Sequence, residues 1–186
     1  MRDLLTEGAV RVRAYRSEDR KALFAAVRES ILEVSKYETW CHPGYRLDEA
    51  AGYVDYWVKM REKGRAFYYA IEEAASGEFL GSCGLAGWHS EHKHAGLGYW
   101  VRTSRTGQGI ATAAARLVAR LGFEDLGLIR IELEIAVDNI ASRRVAEKIG
   151  AVNEGILRRR LILPAGPTDV VMYSLLPDEL RLAGDH

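Results

Sequence analysis

From Ala9 to Tyr15 the run AVRVRAY alternates apolar and polar side chains, the period-two pattern of an amphipathic strand. Ser17 stands where a helix N-cap belongs, and the spacing predicts a helix from there to about Val34. After the aromatic connection KYETWCHPGY, a second helical pattern runs from near Leu47 to Gly64, with Tyr53, Tyr56, Trp57 and Met60 on one stripe that reads as core. Three strand-like runs follow, Phe67 to Glu73, Phe79 to His89 and His94 to Val101, separated by the turn signals ASGE and HSEHK; they predict an antiparallel meander. A helix from about Gly109 to Gly122 is rich in alanine, which permits close packing on a sheet. Next come a strand from Leu128 to Ala136, a helix opened by Asp138 or Asn139 and closed by Gly150, and strands over about Gly155 to Leu163 and Asp169 to Leu176.

The order β-α-α-β-β-β-α-β-α-β-β predicts an α/β (α+β) fold, a mixed and mostly antiparallel sheet of about seven strands flanked by four helices. The strand–helix–strand unit around residues 94 to 136 needs a crossover, hence a parallel pair at the centre.

Composition narrows the function. At 186 residues and 48% hydrophobic the chain suits one domain over 1–186, with a folded core over about 9–178. With 26 basic and 26 acidic residues there is no global field to favour nucleic acid or an anionic membrane. Cys41 and Cys83 have no metal-ligand spacing, and no apolar run approaches the roughly 20 residues of a membrane span. These features predict a soluble cytoplasmic protein without a metal.

Chemistry concentrates in RTGQGIAT, Arg105 to Thr112, between a strand and a helix. Gly107 and Gly109 allow close backbone approach, and the helix that follows offers unpaired N–H groups and the positive end of its dipole, a geometry suited to phosphate. No Gly-Lys-Ser or Gly-Lys-Thr follows, which excludes a Walker-type loop.

This element order, with RTGQGIAT after the central strand, DNIASRRVAEKIGA after the next, and then EGILRRR and DVVMYSLLPDEL, resembles the GNAT acetyltransferase superfamily and within it the RimJ/RimL-type branch. The resemblance implies an acetyl-coenzyme A-dependent N-acetyltransferase acting on protein amino termini or small amines by direct attack in a ternary complex. It implies that the pyrophosphate lies on Thr106, Gly107, Gln108, Gly109, Ile110, Ala111 and Thr112, with Thr106 standing where the family motif has Gln or Arg. It also implies that the central parallel strands splay, with the pantetheine arm in the gap beside Trp100 and Val101, whose N–H groups could stabilise an oxyanion. Gly96 and Gly98 fit either a bulge there or ordinary strand glycines.

Asn139 and Ser142 match the branch's coenzyme-contacting Asn and Ser, and Ser142 matches the serine proposed to protonate the departing thiolate; Asn139 also suits a plain N-cap. The tyrosine acid of other branches would fall on Ala146, and a glutamate some members carry falls on Leu161. Candidate bases are therefore Glu134, on the charged face of Arg130, Glu132 and Glu134, and the histidines His89, His92 and His94. A peptide α-amine, with a pKa near 8, is roughly a tenth neutral at pH 7 and needs little help, which tilts the acceptor towards α-amines.

Tyr37, Trp40 and Tyr45 between the first two helices, and Trp88 on a nearby strand, are candidate acceptor contacts through cation–π interaction, or else a hydrophobic loop over the core. Arg158, Arg159 and Arg160 could receive an acidic substrate or the coenzyme's 3′-phosphate but read first as an edge-shielding cluster, and an edge strand leaves room for a homodimer. Two other functions remain open: a degenerate module that holds coenzyme A or an amine, and an acyltransferase for an oxygen acceptor or a longer acyl group.

Overall fold

The structure, a computed structural model, describes residues 2–89 and 91–181. It opens with a hairpin, β1 (Leu4–Glu7) and β2 (Val10–Ala14), followed by α1 (Asp19–Val34) and α2 (Leu47–Glu62). The meander β3 (Phe67–Glu73), β4 (Phe79–His89) and β5 (His94–Val101) comes next, then a short 3-10 turn (Thr103–Arg105) and α3 (Ile110–Leu126). β6 (Arg130–Ala136), α4 (Ile140–Ile149), β7 (Val152–Leu163) and β8 (Gly166–Leu175) complete the order. Among the described residues eight strands form one sheet in the order β1-β2-β3-β4-β5-β6-β8-β7, in which only β5 and β6 pair in parallel. The expected strand count of about seven is corrected to eight by β1, whose four residues LLTE carry no alternation long enough to announce a strand. In the turn HSEHK, Ser90 lies outside the described residues.

Two cores sandwich the sheet. On one side α3 and α4 press Leu117, Leu121, Ala146 and Ile149 onto Tyr69, Leu85, Ile131, Leu133 and Tyr173. On the other, α1 and α2 press Leu23, Val27 and Val54 onto Ala70, Phe79 and Trp100. Full burial of a side chain such as Leu121 contributes about 1.5–3 kcal/mol, so both helical layers are held chiefly by this face-to-face packing.

Two helix ends differ from expectation. Ser17 does not cap α1; instead the buried Asp19, held by Arg13, accepts the Arg16 N–H at 2.7 Å. Gly122 does not stop α3. A Cβ there would lie 2.9 Å from Leu85 and 3.0 Å from Leu128, so the glycine serves close helix–sheet contact, and Gly127 caps the helix in the left-handed conformation.

Candidate active site

After β5 the chain passes through Gly107 and Gly109, whose φ values of 76° and 77° lie where a side chain is strained. A Cβ at either would meet nothing within 4 Å, so the glycines serve the backbone path and leave the space above it open. Ala113 makes the first bond into the helix, its N–H on the Gly109 carbonyl at 3.0 Å. The N–H groups of Ile110, Ala111 and Thr112 thus point out of the helix start, beside Gln108, with the positive dipole end behind them. Such a cradle takes an anion. Thr106 gives its hydroxyl to the Thr103 carbonyl at 2.9 Å, which ties down the turn leading into the cradle.

The cradle is anchored to α1. Glu29 accepts the Ser104 N–H at 2.9 Å and also binds Arg102, which holds the Glu29 carboxyl down at about 2. Ser30 accepts the Thr103 N–H at 3.0 Å while donating to Ala26. Arg102 and Arg105 both reach Glu78.

β5 and β6 pair through His94↔Arg130, Ala95↔Ile131 and Gly96↔Glu132, and beyond that point no pairing joins them among the described residues. The strands therefore part towards the cradle. Arg102 donates to the Leu80 carbonyl at 2.8 Å, so by alternation the Trp100 N–H is directed at β4 while those of Tyr99 and Val101 are directed at the gap.

Across the gap, Asn139 caps α4 by accepting the Ser142 N–H at 3.1 Å. The Ser142 hydroxyl lies 3.0 Å from the Tyr99 phenol oxygen, which also donates to the Ser142 carbonyl at 3.0 Å. Burial raises the Tyr99 phenol, and the Ser142 contact lowers it less, so Tyr99 stays a neutral hydroxyl.

β6 buries Ile131, Leu133 and Ile135 and turns Arg130, Glu132 and Glu134 to the opposite side. The two carboxylates are paired: Arg160 clasps Glu134 at 2.8 and 3.1 Å, and Arg130 bonds Glu132 at 2.8 Å and Glu154 at 2.5 and 2.7 Å.

The connection between α1 and α2 forms an aromatic wall. Trp40 stands 5.5 Å from Tyr53, 5.7 Å from Trp100 and 6.1 Å from Tyr45, ring centre to ring centre. Tyr45 is buried, and its phenol is raised by that burial. Tyr37, half-buried, has its phenol raised by burial and, less, by the charge of Asp138 at the β6–α4 turn.

Residues 9–152 match the family model described as the acetyltransferase (GNAT) domain. The chain belongs to the GNAT acetyltransferase family. Its sequence is 27% identical to the uncharacterized N-acetyltransferase YoaA of Bacillus subtilis (strain 168), over 89% of this chain and 92% of that protein. It is 28% identical to the ribosomal-protein-serine acetyltransferase of Escherichia coli (strain K12), over 65% of this chain and 66% of that one. Mycobacterium smegmatis RimJ, solved in complex with CoA-disulfide, superposes with a TM-score of 0.84 at 27% identity, covering 93% of this chain and 84% of its own. The GNAT fold accounts for the parallel pair, and the chain is an acetyltransferase.

Within this GNAT scaffold the predicted residues separate. Gly107 to Thr112 and Val101 lie at the cradle end of β5, Asn139 and Ser142 at the start of α4 beside Tyr99, and Tyr37, Trp40 and Tyr45 in the α1–α2 connection. Trp88 stands apart, 6.2 Å from Phe67 and packed on the α3 side of the sheet. His89, His92 and His94 stack at 4.4 to 6.3 Å between ring centres at the end of β5 remote from the cradle, with His94 3.9 Å from Glu132.

Two residues beside the gap strands carried no sequence signal of their own: Tyr99, an odd position in a strand, and Tyr68, one residue of FYYA. Tyr68 stacks on Trp57 at 3.9 Å and sets its hydroxyl 2.7 Å from where a Cβ on Gly98 would be.

Proposed function

We propose that this acetyltransferase moves the acetyl group of acetyl-coenzyme A to a primary amine, either a protein N-terminal α-amine or a small amine of low pKa. The observation that carries the reading is the anion cradle of Gly107 to Thr112 opening into the gap that Ser142 borders. The names of related proteins support it: one is a ribosomal-protein-serine acetyltransferase, and another was solved with a coenzyme A derivative.

In this reading the cradle holds the pyrophosphate, and Asn139 and Ser142 border the pantetheine arm. Acetyl-coenzyme A supplies an acyl thioester whose thiol, with a pKa near that of cysteine at about 8.5, is a tolerable leaving group at neutral pH. The Val101 N–H polarises the acetyl carbonyl. Ser142, hydrogen-bonded to Tyr99, donates its proton to the departing sulfur. Glu134 is a proton acceptor only after its pair with Arg160 opens, and an amine of low pKa depends on such a base least.

The reading is tested by incubating the protein with acetyl-coenzyme A and a peptide bearing both an α-amine and an internal lysine, then locating the acetyl group by fragmentation mass spectrometry. Acetylation at the α-nitrogen supports it; acetylation confined to lysine or to a serine oxygen contradicts the acceptor class.

A further inference from the structure

Glu38 lies in the wall between α1 and α2, half-buried, with its N–H on the Val34 carbonyl and its own carbonyl accepting from Cys41. One carboxylate oxygen accepts the Trp40 indole N–H at 2.8 Å. No cation completes it: among the described residues the indole is the one side-chain partner of this carboxylate. Glu132 and Glu134, by contrast, are each clasped by an arginine. A partly desolvated carboxylate with a free oxygen is costly unless a positive charge meets it.

The surroundings describe that missing charge. Trp40 holds the carboxylate beside a cluster of rings, Tyr53, Trp57, Tyr68 and Trp100, and aromatic rings favour a cation over their faces. The titratable neighbours are the Cys41 thiol of the same loop, Tyr53 from α2 and Tyr68 from β3; all three are raised by burial first and by the Glu38 charge in addition. None of them offers Glu38 a positive charge. Tyr68 runs from this cluster towards β5, where its hydroxyl stands at Gly98, three residues before Val101.

We infer that Glu38 is the acceptor's ammonium-binding group and its general base, an inference that rests on the acetyl-transfer reading above. The acceptor arrives as R–NH3+ against the free carboxylate oxygen and gives one proton to it, leaving a neutral amine and a protonated Glu38. The nitrogen lone pair forms the N–C bond to the acetyl carbon, the C–S bond breaks, and its electron pair leaves on sulfur. The second nitrogen proton balances the one that reaches the thiolate through Ser142, and Glu38 releases its proton to water. Burial holds the Glu38 carboxyl above its ordinary value, which strengthens it as a proton acceptor for an amine near pH 8. The pairing selects α-amines and other weakly basic amines, since a lysine amine near 10.4 yields its proton far less readily.

Glu38→Gln separates chemistry from scaffolding, because the amide oxygen still accepts the Trp40 N–H while the charge is lost; Glu38→Ala removes both. The expected result for Glu38→Gln is a fall of at least tenfold in kcat/KM for the α-amine acceptor, an unchanged KM for acetyl-coenzyme A, and recovery of rate as pH rises past 8 and the amine deprotonates itself. Wild-type rate and pH profile in Glu38→Gln, with loss only in Glu38→Ala, would make Glu38 a tether for Trp40 and overturn the inference. Binding is read without turnover by calorimetric titration of L-alaninamide into the protein at pH 6.5, with and without coenzyme A. The inference expects binding weakened at least tenfold by Glu38→Gln in either condition. Equal affinities, or no binding to the wild type, would overturn it. A protein that binds L-alaninamide through Glu38 but releases no thiol from acetyl-coenzyme A would refute the transferase reading instead.

Discussion

The phenol oxygen of Tyr99 lies 3.0 Å from the hydroxyl of Ser142, tying the strand on one side of the gap to the helix on the other. In the proposed transfer Ser142 gives a proton to the departing sulfur, and a neutral Tyr99 beside it would keep the serine oriented for that step. Ser142→Ala is expected to lower kcat by about tenfold to a hundredfold, the low end of general-acid effects. Tyr99→Phe is expected to lower it by about tenfold. If Tyr99 acts through Ser142, the double variant is no slower than Ser142→Ala alone, and steady-state kinetics of the four proteins read this coupling directly. Additive losses would mean that the two hydroxyls act separately.

Gly98 and Tyr68 meet more tightly. A methyl group on Gly98 would sit 2.7 Å from the Tyr68 hydroxyl, whose ring is held by the stack on Trp57. Gly98→Ala is expected to cost about 1–3 kcal/mol by overpacking, and Tyr68→Phe, which removes the clashing oxygen, should return part of that stability in the double variant. Urea denaturation of the three variants measures it; a double variant no more stable than Gly98→Ala would place the strain elsewhere.

The link from Glu29 to Arg102 and Ser104 carries a pH signature. Arg102, and then Ser104, lower the Glu29 carboxyl from 4.5 to about 2 in the folded protein. A depressed acid stabilises the fold above its unfolded value and loses that contribution as pH falls from about 4.5 towards 2. With a side chain 31% exposed, screening reduces this to roughly 1–2 kcal/mol. Glu29→Gln should therefore be less stable than the wild type at pH 7 and close to it near pH 2.5, as read by chemical denaturation at both pH values.

The elements that a residue period can announce were legible in the chain. The two-residue alternations over Ala9–Tyr15 and Leu128–Ala136, which became β2 and β6, and the left-handed glycines at 107, 109 and 150 follow from local backbone chemistry, and the fold uses them where they were expected. What depends on tertiary partners was not legible. Gly122 resembles a helix stop because nothing local shows Leu85 and Ile131 pressing on it. Glu134 resembles a free base because its partner Arg160 comes from a bulged edge strand 26 residues away. Tyr99 resembles a core residue until the fold brings α4 over β5. Glu38 carries no spacing signal, being a lone acid in the irregular connection between α1 and α2.

The central claim, acetyl transfer from a coenzyme held at the glycine turn to an amine, is tested most directly by free-thiol release from acetyl-coenzyme A with a panel of α-amino peptides, small amines and polyamines. The account predicts amine-dependent release, fastest with α-amines. It also predicts that release is lost in Gly109→Trp, where a side chain would enter the open space above the turn. Coenzyme A binding with no release for any amine, or release unaffected by Gly109→Trp, would contradict it.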